Sequence, residues 1–269
     1  MRVSLLGGGA MGEAIIAALV SGDAPVAQPQ DVRVFDVVVS RISYLASEYG
    51  VRAATTPADL LDTDFLLLSI KPQDFEKAAA PVAGKLGGAT AVSIMAGVTL
   101  SRLGHVLQCE SIVRAMPNTP AQVGQGMTGW TATPAVTESG RDGVRQIFNA
   151  MGKEAYVPDE KYIDMVTGLS GSGPAYVFLF IEALTDAGVH IGLPRDIAST
   201  MALQTVLGSA VYAEKTGKHP AELRNQVTSP GGTTAEGLKA LEHGNLRADV
   251  LDAVIAAYEK SRALGEQSK

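Results

Sequence analysis

The sequence predicts an α/β domain over residues 1–157, followed by an all-helical domain over residues 158–269. Short strand-like runs alternate with helix-like segments in the first part, which is typical of parallel βαβ units and a doubly wound sheet. Beyond about Val157 the chain has no convincing strand and instead has long, Ala-rich segments with helical spacing. Loops rich in Gly and Pro separate these segments.

Apolar spacing defines the individual elements. A continuous apolar run such as residues 65–69 indicates a strand that is buried on both faces. Strands are predicted at residues 2–6, 32–36, 65–69, 91–95 and 112–116, and helices at 10–21, 40–49, 177–189, 195–214 and 246–264. Because the long helices of the second half carry many Ala, Val and Leu residues, we expect them to bury part of this surface against a second copy in a homodimer.

Composition excludes several classes of protein. The chain has 269 residues with a net charge of −6, which argues against a nucleic-acid binder but leaves room for a small anionic substrate. Cys109 is the only cysteine, so an internal disulfide and a multi-cysteine metal site are excluded, and the four histidines have no ligand-like spacing. The apolar runs are too short to cross a bilayer, and the N-terminus enters a strand without a leader, so we expect a cytoplasmic protein.

A Gly-rich loop follows the first predicted strand. The pattern G-x-G-x-x-G falls on Gly7, Gly9 and Gly12 and opens the first predicted helix, which is the context of a dinucleotide-binding loop. The first glycine allows the tight turn, the second lets the backbone approach a pyrophosphate, and the third lets the helix pack on the strand. A Gly turn without a ligand is the alternative. The residues expected at the cofactor here are Leu6, Gly7, Gly8, Gly9, Ala10, Met11 and Gly12.

Two charged residues near the end of the second strand bear on the choice of cofactor. Asp36 is placed to bind the adenosine ribose diol, which favours NAD, although it lies further from the Gly loop than is usual. Arg41 is close by and could meet a 2′-phosphate, which favours NADP. Both residues also have an ordinary interpretation, as a strand end and a solvated helix charge.

Three later segments follow predicted strands and should reach the same edge of the sheet. Their candidate cofactor residues are Ser69, Ile70, Lys71 and Pro72, then Ala96 and Gly97, and finally Asn118. Lys71 could hydrogen-bond the ribose or a phosphate. The alternative is that Lys71 is a surface lysine and Pro72 only starts the next helix.

Residues 228–236 contain the most informative stretch of the second half. Gly231 and Gly232 precede a helix-like segment, and successive backbone N–H groups at a helix start suit a substrate carboxylate. The hydroxyls of Ser229, Thr233 and Thr234 can donate or accept hydrogen bonds. A purely structural alternative is a capping box, in which Thr233 caps the helix with Glu236 three residues later.

Taken in order, these segments resemble the pyrroline-5-carboxylate reductase family along essentially the whole chain. The strings that carry the resemblance are G-G-G-A-M-G (7–12), K-P-Q (71–73), A-G-V-T (96–99), R-A-M-P-N-T-P (114–120), S-G-S-G-P-A-Y (170–176) and S-P-G-G-T-T (229–234).

The resemblance implies a Rossmann domain, a helical dimerisation domain, and hydride transfer from NADPH or NADH to the C=N bond of 1-pyrroline-5-carboxylate. The product is L-proline, so the reaction is the last step of proline biosynthesis. It also implies residue roles. The backbone of residues 231–233 holds the carboxylate, Thr234 hydrogen-bonds the ring nitrogen, and Glu160 contacts the substrate region. Lys71, Pro72, Ala96 and Gly97 line the cofactor.

One departure from the family pattern affects the cofactor. Residues 37–39 are three valines where the family often has small polar or Pro-containing residues, and valines offer no hydroxyl to a 2′-phosphate. This weighs against NADP.

Two other functions remain open at this stage. Another Rossmann reductase with a helical partner domain, such as a 3-hydroxyacid dehydrogenase, typically uses a lysine on the helix that faces the nicotinamide, and residues 177–189 contain none. A non-catalytic redox-sensing module that binds NAD(P)H would have no need for the loop before Thr234.

Overall fold

A computed structural model of the chain describes residues 1–22 and 24–267. Eight strands in this part of the chain form one sheet. They are β1 (Val3–Leu6), β2 (Val32–Phe35), β3 (Arg52–Ala53), β4 (Phe65–Leu68), β5 (Thr90–Ser93), β6 (Ile112–Met116), β7 (Gly126–Ala132) and β8 (Gly152–Tyr156).

The sheet has the order β3-β2-β1-β4-β5-β6-β7-β8. All pairs are parallel except β6 with β7, where the chain turns back and Ala115 lies opposite Trp130. The strand order reverses between β1 and β4, and in open α/β sheets ligands bind at this switch point, outside the carboxyl ends of the strands. The prediction of an N-terminal Rossmann-type sheet followed by helices is confirmed, with one antiparallel pair added.

Helices cover both faces of the sheet. β1 and β4 are buried along their whole length, as their continuous apolar sequences VSLL and FLLL indicate. One apolar cluster includes Ile15 and Phe148, and the other includes Phe75 and Leu103. The helices of the first 172 residues are α1 (Ala10–Val20), α2 (Val39–Tyr49), α3 (Phe75–Ala79), α4 (Leu100–Leu107), α5 (Glu138–Ala150) and α6 (Lys161–Val166).

Three strands escaped the sequence analysis for physical reasons. β3 has only two residues, both exposed. β7 contains Gly126 and Gly129, and glycine is depleted in strands. β8 has the sequence GKEAY at the edge of the sheet, without the apolar pattern of a buried strand.

Three of the remaining helices follow the predicted positions to within a few residues, and a fourth starts at Thr233, where a helix-like segment was expected. The last of them, residues 246–267, was expected at 246–264. The short helix Pro220–Gln226 was not predicted. These helices are α7 (Gly173–His190), α8 (Arg195–Thr216), α9 (Pro220–Gln226), α10 (Thr233–His243) and α11 (Leu246–Gln267). No helix in the described part of the chain is both long and apolar enough to span a membrane.

The chain divides into two compact units. The first is Met1–Ser172 together with the stretch from Ala256, and the second is Gly173–Ile255. The first unit extends past the sheet because Asp164 on α6 pairs with the buried Arg114 of β6. The functional division into residues 1–157 and 158–269 stays a prediction.

Candidate functional site

The Gly-rich loop connects β1 to α1 at the switch point of the sheet. Gly7 has a φ of +106°, a backbone conformation that L side chains rarely adopt. A Cβ at this position would lie 2.6 Å from the carbonyl oxygen of Ser69, so the loop passes directly against the end of β4. The Gly7 N–H donates to the Phe35 carbonyl oxygen at 2.8 Å, which joins the loop to the end of β2 as well.

The other two glycines of the pattern differ in what surrounds them. Gly9 caps the N-terminus of α1, and a Cβ placed there would meet no atom within 4 Å. A Cβ on Gly12 would clash with the carbonyl oxygen of Gly7, so α1 packs closely on the loop. Open space beside the free N–H groups of an 11-residue helix is what a pyrophosphate requires.

A cavity of about 710 Å³ lies at the carboxyl ends of β1, β2 and β4. Its walls include Phe35, Pro57, and Lys77 and Ala78 of α3. Of the residues predicted to bind the cofactor, those that line this cavity are Leu6, Gly7, Gly9, Asp36, Ser69, Ile70 and Lys71. Sequence reasoning thus brought together a set of residues that the fold places around one space.

Two polar side chains of the cavity hold the loop in place. Asp36 accepts hydrogen bonds from the backbone N–H of Gly8 at 2.8 Å and of Val38 at 2.9 Å. The Ser69 hydroxyl donates to the Gly7 carbonyl oxygen at 2.6 Å. Both residues therefore have a structural role that is compatible with a contact to a ligand.

Arg41 is not among the residues that line the cavity. Its Nε donates to the Gly8 carbonyl oxygen at 2.5 Å, and its guanidinium forms an ion pair with Glu13 on α1. The hydrogen bond from Arg41 lowers the pKa of Glu13. Burial, and then a hydrogen bond to Glu13, raise the pKa of Tyr49 to about 12. The sequence analysis did not single out this cluster.

The remaining predicted cofactor residues lie in the loop or beyond the cavity. Gly97 is buried, and a Cβ there would lie 2.8 Å from Cβ of Leu264 on α11. Asn118 donates to the Ser170 carbonyl oxygen at 3.2 Å and accepts from the Met127 N–H at 2.9 Å. The contacts of all the predicted residues with a cofactor stay predictions, both for those that line the cavity and for Gly8, Ala10, Met11, Gly12, Arg41, Pro72 and Ala96.

Glu160 belongs to an ionic network that the sequence analysis missed. Its Oε1 accepts from the Leu100 N–H at 2.7 Å and from the Arg114 guanidinium at 2.9 Å. Arg114, which is almost completely buried, also donates to Asp164 at 2.8 Å, and Ser261 donates to the same carboxylate at 2.8 Å. An arginine inside the apolar strand IVRAM was the available signal, because a buried cation needs acidic partners.

The predicted substrate loop precedes α10 in the second compact unit. Gly231 has a φ of +67°, and a Cβ on Gly232 would clash with the hydroxyl of Ser229. Gly232 is the N-cap of α10, and no side chain makes a capping hydrogen bond there. The capping-box interpretation of Thr233 and Glu236 is therefore wrong, because Thr233 is already the first helical residue. Thr234 follows it and is partly buried.

Comparisons with known proteins agree along the whole chain. A family model described as pyrroline-5-carboxylate reductase dimerisation matches residues 160–264, and one described as NADP oxidoreductase, coenzyme F420-dependent, matches residues 2–97. A pyrroline-5-carboxylate reductase of Synechocystis sp. is 42% identical over 268 residues, which is 99% of each chain.

Two solved structures cover 98% of both chains. The pyrroline-5-carboxylate reductase of Coxiella burnetii has a TM-score of 0.91 at 33% identity. The pyrroline carboxylate reductase of Plasmodium falciparum, solved with NADP bound, has a TM-score of 0.89 at 30% identity. On these grounds the chain belongs to the pyrroline-5-carboxylate reductase family.

Proposed function

We propose that this protein reduces the C=N bond of 1-pyrroline-5-carboxylate to give L-proline, with NADPH or NADH as the reductant. The ring carbon gains a hydride and the ring nitrogen gains a proton, so the imine becomes a secondary amine. The observation that carries this proposal is the full-length similarity to reductases of this name, combined with a dinucleotide-type loop at the switch point. The reaction places the protein at the final step of proline biosynthesis.

The cofactor site uses the backbone of the Gly loop. Open space beside Gly9 and the N–H groups at the start of α1 suit a pyrophosphate, and Asp36 suits a ribose hydroxyl. When bound, the nicotinamide supplies the hydride, and the protein's part is to hold and orient it. This explains why the sequence has no evident catalytic histidine or lysine.

The substrate site uses the start of α10. The backbone of residues 231–233 holds the carboxylate beside the start of this 11-residue helix, where the Thr233 N–H is directed toward an anion. The Gly232 N–H donates to the Ser229 carbonyl oxygen at 3.1 Å, which fixes the shape of this loop. The Thr234 hydroxyl hydrogen-bonds the ring nitrogen, and Ser229 and Thr233 add polar contacts. Thr234 is the second residue of α10 and is partly buried, next to the Gly232 N-cap.

Glu160 acts in the substrate region with its orientation set by two donors. The Leu100 N–H and the Arg114 guanidinium both reach Oε1. A carboxylate held in this way has a fixed direction, which favours a role in organising the binding region.

The active form is a homodimer formed through the helical part of the chain, and the protein acts in the cytoplasm. The second compact unit exposes a large amount of apolar side-chain surface, which a monomer would leave in water. The contributors include Phe178, Leu179, Ile191, Met201, Leu203, Leu207, Tyr212, Val227, Val250 and Leu251. Sedimentation of the full-length protein at micromolar concentration should show at least a dimer, and a monomer would refute this assembly.

The direct test is an activity assay on the purified protein. Adding 1-pyrroline-5-carboxylate to the protein with NADH or NADPH should deplete the nicotinamide absorbance at 340 nm and produce L-proline. The variant Gly9→Val serves as the control, since it should fold and lose activity with both cofactors. If neither cofactor is consumed in a substrate-dependent manner, the proposed reaction is wrong.

A further inference from the structure

The cavity wall formed by the end of β2 has an acidic and apolar character. Asp36 is followed by Val37, Val38 and Val39, whose exposed fractions are 85%, 53% and 73%. Asp36 lines the cavity together with Val37 and Val38. A carboxylate accepts hydrogen bonds from the two ribose hydroxyls, whereas it repels a 2′-phosphate, and valine side chains donate nothing to either group.

Arg41 is the cation that α2 could offer to a 2′-phosphate, and it is already engaged. Its Nε donates to the Gly8 carbonyl oxygen, its terminal nitrogen pairs with Glu13, and its guanidinium lies 5.1 Å from the ring centre of Tyr44. Arg41 would have to leave these three partners to reach into the cavity.

Glu13 is itself held firmly in the position that retains Arg41. The hydroxyls of Tyr49 and Tyr44 donate to its Oε1 at 2.9 and 3.1 Å, while Oε2 pairs with Arg41. The hydrogen bond from Arg41 lowers the pKa of Glu13, so the carboxylate stays charged at neutral pH. The two peptide groups that flank the Gly8 Cα are thereby both fixed, by Asp36 at the Gly8 N–H and by Arg41 at the Gly8 carbonyl.

Two lysines also line the cavity, and they come from other elements than Asp36. Lys71 follows β4 and Lys77 lies on α3, and β1 separates β4 from β2 in the sheet. The ribose hydroxyls of a dinucleotide are recognised at the end of β2, where Asp36 lies. We therefore assign recognition of the ribose hydroxyls to Asp36, at the end of β2.

We propose that Asp36 and Glu13 together make this protein select NADH over NADPH. Asp36 determines the preference directly at the ribose, and Glu13 is a positioning residue that keeps Arg41 on the Gly loop and out of the cavity. The inference rests on the proposed function only in requiring a nicotinamide dinucleotide as the ligand.

The test is direct binding of each cofactor in the absence of pyrroline carboxylate. Isothermal titration of the full-length protein should give a Kd for NADH at least about tenfold lower than that for NADPH. Asp36→Asn, which keeps one acceptor for the backbone, should reduce the ratio of the NADPH Kd to the NADH Kd at least fivefold. Glu13→Gln should also reduce the ratio, by improving NADPH binding, and adding Arg41→Met to Glu13→Gln should remove that gain.

Glu48→Gln is the matched control, since it removes the same charge from an exposed position on α2. It should leave the ratio of the two Kd values unchanged. If the wild type binds NADPH as tightly as NADH, or more tightly, the proposed preference is wrong. It is also wrong if neither Asp36→Asn nor Glu13→Gln alters the ratio of the two Kd values. An equal effect of Glu48→Gln and Glu13→Gln would overturn the role of Glu13. Failure of both cofactors to bind would refute the dinucleotide site itself, and with it the proposed function.

Discussion

Replacing Arg114 by methionine should destabilise the sheet-containing unit strongly. The Arg114 side chain is 2% exposed, and it is the cation paired with both Glu160 and Asp164, whose side chains are 29% and 17% exposed. Removing one partner of a buried ionic cluster leaves uncompensated charge and costs about 3–5 kcal/mol. Because both carboxylates retain some contact with water and keep the donors Leu100 N–H and Ser261, we expect a loss near the lower limit, about 3 kcal/mol.

The unfolding of this unit can be followed through a single fluorophore. Trp130 is the only tryptophan in the sequence, is completely buried, and lies on β7 next to the strand that carries Arg114. Urea unfolding followed by its emission should give a lower midpoint for Arg114→Met. The matched control is Arg262→Met, which breaks an exposed pair with Glu266 and should cost at most about 1 kcal/mol.

A triple variant separates lost charge balance from lost packing. Adding Glu160→Gln and Asp164→Asn to Arg114→Met removes the unpaired charges and should recover a large part of the stability, because a buried ionic cluster is itself expensive to desolvate. If Arg114→Met unfolds no more easily than Arg262→Met, the network does not stabilise the unit and the reasoning is wrong.

The remaining predictions concern the two loops and the cluster around Glu13. Gly9→Val should keep the wild-type melting temperature, since a Cβ at Gly9 has free space, and should lose dinucleotide binding because the side chain fills that space. Gly12→Ala should lower the melting temperature, because its Cβ meets the Gly7 carbonyl oxygen. A calorimetric melting temperature that is lower for Gly9→Val than for Gly12→Ala would contradict this. Thr234→Ala should lower turnover about ten- to a hundredfold, from loss of about 1.5–3 kcal/mol of transition-state stabilisation, with Thr234→Ser close to wild type; full turnover in Thr234→Ala would remove its hydroxyl from the mechanism. The raised pKa of Tyr49, about 12, means that its stabilising contribution is complete below about pH 10 and is lost as the pH rises through 12. Tyr49→Phe should therefore flatten the fall in unfolding free energy over that interval, and identical alkaline curves for both proteins would exclude the effect.

The sequence was sufficient for the parts of the fold that depend on local patterns. Continuous apolar runs identify β1 and β4 because a strand buried on both faces needs apolar residues at every position. The glycines of the first loop identify a dinucleotide site because only glycine accepts the φ of Gly7 and leaves open space at Gly9. An edge strand such as β8 lacks this pattern, because it pairs with only one other strand and its residues are only partly buried.

What the sequence by itself determined is therefore the fold class, the family and the residues gathered at the switch point. Only the tertiary structure decided what each charged side chain is paired with. Arg41 is turned toward Glu13, 28 residues away, and Arg114 meets Glu160, 46 residues away. The physical reason is that ion pairs depend on distances between side chains in space, and spacing along the chain does not encode those distances once helices and strands have packed.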